Sequence, residues 1–192
     1  EHTAGPQLIG FDYQFYYFMY LILDLNQGEK IGFEVLDDIH IELANGSIEL
    51  LQTKHTIQKN PKGEIVNLTE RDSDLWKTIN NWILFFKDST DKDEYLNKTV
   101  FKLVTNKSIN NNTFFENIIK LQRKEIKINV FSDYIKHLHV NTDSVDIKTQ
   151  IESLKKLDNK TKSKFINQIQ IISEPENIIN LVKKRIRKLI VK

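Results

Sequence analysis

The chain has 192 residues, 40% hydrophobic and 28% charged, with a formal net charge of +2 and no cysteine. That is the length of one domain, with enough apolar residues for a core. It excludes a disulfide framework, a thiolate zinc site and a cysteine nucleophile. No apolar run reaches the roughly 18 residues of a membrane-spanning helix, and no secretory pattern is present, so a cytoplasmic protein without a membrane partner is expected. The charge is uneven. The first 50 residues hold nine acids and one base, Lys30, a balance of −8 that leaves +10 for the rest. A cation suits the acidic part, and a polyanion suits clusters such as Lys120, Arg123, Lys124 and Lys127.

In chain order, residues 7–25 are predicted to be a helix, because Leu8, Phe11, Phe15, Phe18 and Ile22 recur at three- and four-residue spacing. Seven of the ten residues from Phe11 to Tyr20 are aromatic, which points to packing on more than one side; Asp12 and Gln14 are the polar exceptions. Asn26-Gln27-Gly28 ends the helix. Three strands follow, at Ile31 to Leu36, Asp38 to Leu43 and Ser47 to Lys54. The second alternates apolar and polar residues, and Ala44-Asn45-Gly46 turns it into the third. Residues 56–72 form a polar loop, long enough to suggest function. A helix over Asp74 to Lys87 and a strand over Thr99 to Thr105 imply a right-handed crossover to a parallel neighbour.

The remaining third is expected to be mostly helical, over Thr113 to Lys124, Val145 to Leu157 and Thr161 to Gln168, with a strand at residues 126–131. Ser173-Glu174-Pro175-Glu176 has the form of a capping box opening a last helix through Ile190. The expected whole is one α/β domain, with a core of about residues 7–105 and a helical extension of about 110–192.

Chemistry concentrates in the hairpin. Gln52 and Lys54 lie two apart on a strand and face one side. Folding at Ala44-Asn45-Gly46 brings Asp37 and Asp38 alongside residues 52–54. A three-residue loop pairs Leu43 with Ser47 and hence Asp38 with Gln52. A two-residue loop pairs Asp37 with Lys54 and aligns the apolar faces better. The hairpin alone leaves both open. An acid, an amide oxygen and a lysine suit metal-assisted phosphodiester hydrolysis. The oxygens hold Mg2+, and the lysine orients water and offsets developing charge.

The order helix, three strands, helix, strand, with Asp at the second strand and Gln-x-Lys ending the third, resembles the PD-(D/E)XK nuclease superfamily. Gly10-Phe11-Asp12-Tyr13-Gln14, Glu34-Val35-Leu36-Asp37-Asp38 and Leu51-Gln52-Thr53-Lys54-His55 look like one branch of it. That branch is the double-stranded-DNA endonuclease domain of bacterial anti-phage effectors, of the CBASS, Lamassu and Avs type. The motifs cover residues 10–55, and the order of elements extends the likeness to about 105.

The resemblance implies a restriction-endonuclease-like αβββαβ core, a mixed central sheet flanked by helices, and Mg2+ or Mn2+ as cofactor. It implies Asp38 as main metal ligand, with Asp37 as the alternative, Gln52 in place of the commoner acid, Lys54 as catalytic lysine and Gln14 lining the site. Glu34 becomes an outer metal group. His55, Lys120, Arg123 and Lys124 are candidate DNA contacts. A sensor domain or subunit and self-association are implied as partners. An inactive DNA-binding scaffold and an RNA nuclease are the rival functions. His40, two residues from Asp38, is expected on its side of the strand. His137-x-His139 would join two imidazoles if extended, with no third ligand nearby. No glycine-rich or Gly-Lys-Ser/Thr nucleotide loop occurs.

Overall fold

Alternating residues on both sides of Ala44-Asn45-Gly46 fold into the hairpin that organises the sheet. The computed structural model describes residues 4–173 and 177–190. Its elements are α1 (Ala4–Ile22), β1 (Lys30–Phe33), β2 (Ile39–Glu42), β3 (Ile48–Lys54), α2 (Ser73–Asp88), α3 (Lys92–Lys98), β4 (Thr99–Thr105), α4 (Thr113–Gln122), α5 (Ile128–Val140), α6 (Val145–Lys155), α7 (Asn159–Asn167), β5 (Ile169–Ser173) and α8 (Ile178–Ile190). The five strands form one mixed sheet in the order β1-β2-β3-β4-β5, so the class is α/β.

The chain divides into two compact units. Unit 1 holds residues 1–66, 100–108 and 170–192; unit 2 holds 67–99 and 109–169. The expected core of 7–105 is therefore shared out. Residues 67–99, with α2 and α3, join unit 2, whereas most of β5 and all of α8, from the expected extension, join unit 1.

In unit 1, Tyr13 and Tyr17 of α1 pack with Ile39, Ile41, Leu51, Val104 and Ile178. The hairpin register sets Ile39 opposite Leu51 and Ile41 opposite Glu49. Leu43 N–H donates to Ser47 O at 2.8 Å and Gly46 N–H to Leu43 O at 2.9 Å. Gly46 sits at φ +81°, which only glycine adopts without strain. This is the three-residue loop, not the two-residue loop that apolar alignment favoured. Local alignment penalised it for placing Glu49 across from Ile41. Lys102 of β4 removes that penalty by pairing with Glu49 at 2.6 Å.

β1 stops at Phe33, short of the expected Leu36, because Glu34 takes φ +55° and turns the chain. Glu34 N–H then donates to Asp38 O at 2.9 Å, closing a turn over 34–38.

Unit 2 is helical. Leu75, Ile79, Trp82, Ile83 and Phe86 line the buried face of α2 at helical spacing, and Trp76 joins them. Trp76 meets Phe114 at 4.9 Å and Phe86 meets Phe165 at 5.3 Å between ring centres. Asp72, Asn112, Ser144 and Asp158 cap α2, α4, α6 and α7 with side-chain oxygens.

Three expectations are corrected. Residues 126–131 are not a strand: α5 begins at Ile128 and buries Phe131, Ile135 and Leu138, a helical spacing. The alternation of Ile126, Ile128 and Val130 masked it, and Lys127 offers no side-chain cap to mark its start. His137 and His139 are helical, and His139 Nε2 lies 3.0 Å from Glu152 Oε2. β5 adds a strand to the last third, where only helices were expected after residue 131. The supposed capping box falls on residues 174–176, outside the described residues.

Candidate active site

Aromatic packing positions the first part of the site. Phe33, at the end of β1, meets Phe11, Phe15 and Phe18 of α1 at ring distances of 5.6, 6.0 and 5.1 Å. That anchors Glu34, the next residue, beside α1, where Gln14 Nε2 donates to Glu34 Oε1. Gln14 is itself buried. One residue earlier, the Tyr13 ring stacks on His55 at 4.4 Å and 21°. Residues 13 and 14 thus touch both the 34–38 turn and the segment after β3.

Asp38 closes the other side. Its Oδ2 accepts from Thr53 N–H at 2.8 Å and from Thr53 Oγ1–H at 3.0 Å. Asp38 Oδ1 makes no hydrogen bond among the described residues. Continuing the register one step places Gln52 opposite Asp38. Asp37 has a different task, its Oδ1 accepting from Asp38 N–H at 3.0 Å within the turn.

Gln52 is 8% exposed, yet its amide has no hydrogen bond among the described residues. Lys54 is half-buried at the end of β3, and its ammonium has neither an ion pair nor a hydrogen bond among them. The Gln52 amide atoms are not sealed from solvent, so water or a ligand can satisfy them. Two unengaged polar ends on one face of one strand, beside a half-used carboxylate, have the form of a site kept open for a ligand.

His55 adds an imidazole whose pKa burial pushes below its ordinary value. Its Nδ1 is buried without a hydrogen-bond partner among the described residues. Residues 14, 34, 37, 38, 52, 54 and 55 therefore gather on connected segments of unit 1. Lys120, Arg123 and Lys124 belong to unit 2, exposed on α4 and the turn after it, where Arg123 Nη1 lies 4.0 Å from Glu125.

Sequence reasoning passed over Thr53, the residue that fixes Asp38. A hydroxyl between Gln52 and Lys54 gave no signal, since alternation points it to the opposite side from both. The carboxylate at the strand end reaches its N–H and hydroxyl all the same.

Among the described residues no three His, Asp or Glu side chains gather as a cation cage. Mg2+ does not require one: it keeps several waters and takes one or two carboxylates plus substrate phosphate. Asp38 Oδ1 and the Gln52 amide oxygen fit that demand, with Glu34 held on Gln14. Comparison with family models, with curated proteins and with solved structures returned no match.

Proposed function

We propose that unit 1 is a metal-dependent endonuclease of the PD-(D/E)XK type. It hydrolyses phosphodiester bonds of double-stranded DNA with little base selectivity, as the effector part of a bacterial anti-phage system. The observation that carries this reading is the pair of unengaged side chains, Gln52 and Lys54, beside the free oxygen of Asp38.

Asp38 and Gln52 hold the cation. Bound there, Mg2+, or Mn2+ in its place, supplies an acidified water and offsets phosphate charge. Lys54, which no carboxylate among the described residues pairs with, faces the scissile phosphate and orients the attacking water. Thr53 positions Asp38 through two hydrogen bonds, so Oδ1 rather than Oδ2 faces the ligand. Gln14 steadies Glu34 at the site's edge. His55, held against Tyr13, contacts the DNA backbone as a neutral donor. Lys120, Arg123 and Lys124 grip phosphates without reading bases. One such site cuts one strand, so duplex cleavage calls for paired protomers, brought together by a sensor domain or subunit.

The test is plasmid cleavage by the chain at high concentration, with and without Mg2+, beside Lys54→Ala. Mg2+-dependent degradation that the variant lacks supports the proposal. DNA binding without cleavage, even with the partner that assembles it, replaces it with an inactive scaffold. Preference for structured RNA over duplex DNA changes the substrate.

A further inference from the structure

A buried ammonium needs a counter-charge, and Lys162 of α7 has none at ion-pair distance among the described residues. It is 3% exposed. Its Nζ donates to Ser132 Oγ at 3.1 Å and to Lys155 O at 3.4 Å, both neutral acceptors. No carboxylate lies within 4.0 Å among the described residues. Burial, and secondarily Lys136, push its pKa down, with Asp158 opposing. Taking an unpaired charge out of water is among the costliest features a fold can carry.

Lys162 lines an open polar cavity of about 420 Å3 in unit 2, within the range of small-molecule sites. Donors converge there. Ser132 Oγ is bonded to Asn159 Oδ1 at 2.9 Å, and Asn159 Nδ2 to Asn129 Oδ1 at 2.7 Å, so hydroxyl and amides form one chain leading from Lys162. Lys136 and Lys155 also line it, the latter paired with Glu152 at 2.6 Å. The two acids of the cavity are already engaged. Asp133 holds Lys136 at 2.8 Å, and Asp158 caps α7 by accepting from Thr161 N–H at 3.0 Å. Neither is the partner of Lys162.

We propose that this cavity binds the phosphate group of a small phosphorylated molecule, whose charge is the missing partner of Lys162. Ser132 gives its proton to Asn159 and holds Lys162 in place. That leaves the third N–H of Lys162 and amide N–H groups of Asn159 and Asn129 for a group with several acceptor oxygens, and the volume leaves room for what the phosphate is attached to. The site lies outside the residues given to DNA cleavage.

The test is calorimetric titration of the full chain with adenosine monophosphate and, separately, with inorganic phosphate, beside Lys162→Met and Ser132→Ala. Methionine keeps the stem and removes the buried charge. At least one probe is expected to bind the native chain, with affinity lower by about tenfold or more in Lys162→Met and by several-fold in Ser132→Ala. Tighter binding of the nucleotide marks a phosphomonoester as the ligand, and equal binding marks free phosphate. If Lys162→Met does not fold, Ser132→Ala carries the comparison alone. Absence of binding at millimolar concentration, or affinity unchanged in the folded variants, overturns the proposal. The loss of binding in Lys162→Met and Ser132→Ala is read without Mg2+ or DNA, so failure here is separate from failure of the nuclease assignment.

Discussion

An amide at position 52 leaves the proposed cation site one negative charge short of a two-carboxylate site. Restoring the acid is therefore informative. Gln52→Glu is expected to lower the Mg2+ concentration for half-maximal cleavage several-fold, since each added carboxylate strengthens attraction for a divalent ion. A Mg2+ titration of plasmid cleavage reads this directly. His55 offers a second prediction, on stability. Its folded pKa lies below the ordinary 6.5, so the unfolded chain binds the proton more readily. The stability it gives is complete above about pH 6.5 and is lost as pH falls from there through the lowered folded value. Melting temperatures of the native chain and His55→Gln are expected to converge between pH 7 and pH 5. A constant difference argues against it.

At this scale the sequence marked residues of the candidate site but not their fastening. Gln52, Lys54 and the Asp37-Asp38 pair were legible from types and spacing. Which aspartate lies across from Gln52 was not, because the register depended on Lys102 neutralising Glu49 from another strand. Nor was the Thr53 grip on Asp38, which relies on a side chain reaching across the hairpin.

Among the elements, β1 and β2 show a constraint that spacing alone does not announce. Gly32 lies opposite His40, and a Cβ built on it would come within 2.0 Å of His40 Cε1. The His40 ring is 7% exposed, so it has little room to retreat. Gly32→Ala is expected to destabilise the protein by about 1–3 kcal/mol. Adding His40→Ala should return part of that loss, as a double-mutant cycle by urea denaturation would register. Losses that simply add would mean the ring is not the obstacle. Long elements with a continuous buried face, such as α2, were readable from periodicity. Two short ones were not: α3 buries only Leu96, and β5 spans five residues. A single buried side chain leaves no period to detect.

For the whole molecule, the balance beyond residue 50 is +10, of which unit 2 carries only +2, so on unit 2 a polyanion would meet the local cluster Lys120, Arg123 and Lys124 rather than a broadly basic unit. If exposed cations of unit 2 hold the DNA backbone, affinity falls steeply with salt. Replacing Lys120, Arg123 and Lys124 together by Glu is expected to weaken duplex binding at low salt. It should also flatten the plot of log affinity against log salt by about 3, roughly one unit for each phosphate that goes unneutralised. An unchanged slope would place the DNA elsewhere. The α/β class was open to sequence reasoning because the hairpin and the Thr99 to Thr105 strand announce themselves. The partition into two units was not, since nothing in local pattern says that a helix following a strand will join a different unit.

Unit 1 is drawn from three separated stretches of chain, with Ile172, Ile178 and Leu181 packing in the same core as Tyr13 and Ile39. During synthesis the Asp38 to Lys54 hairpin leaves the ribosome early, while the residues that finish its core come more than a hundred positions later. All of unit 2 is made in the interval. Under the proposed activity, a nascent chain thus carries the cutting residues without the fold to use them. A chain cut short within unit 2 is therefore expected to lack Mg2+-dependent cleavage.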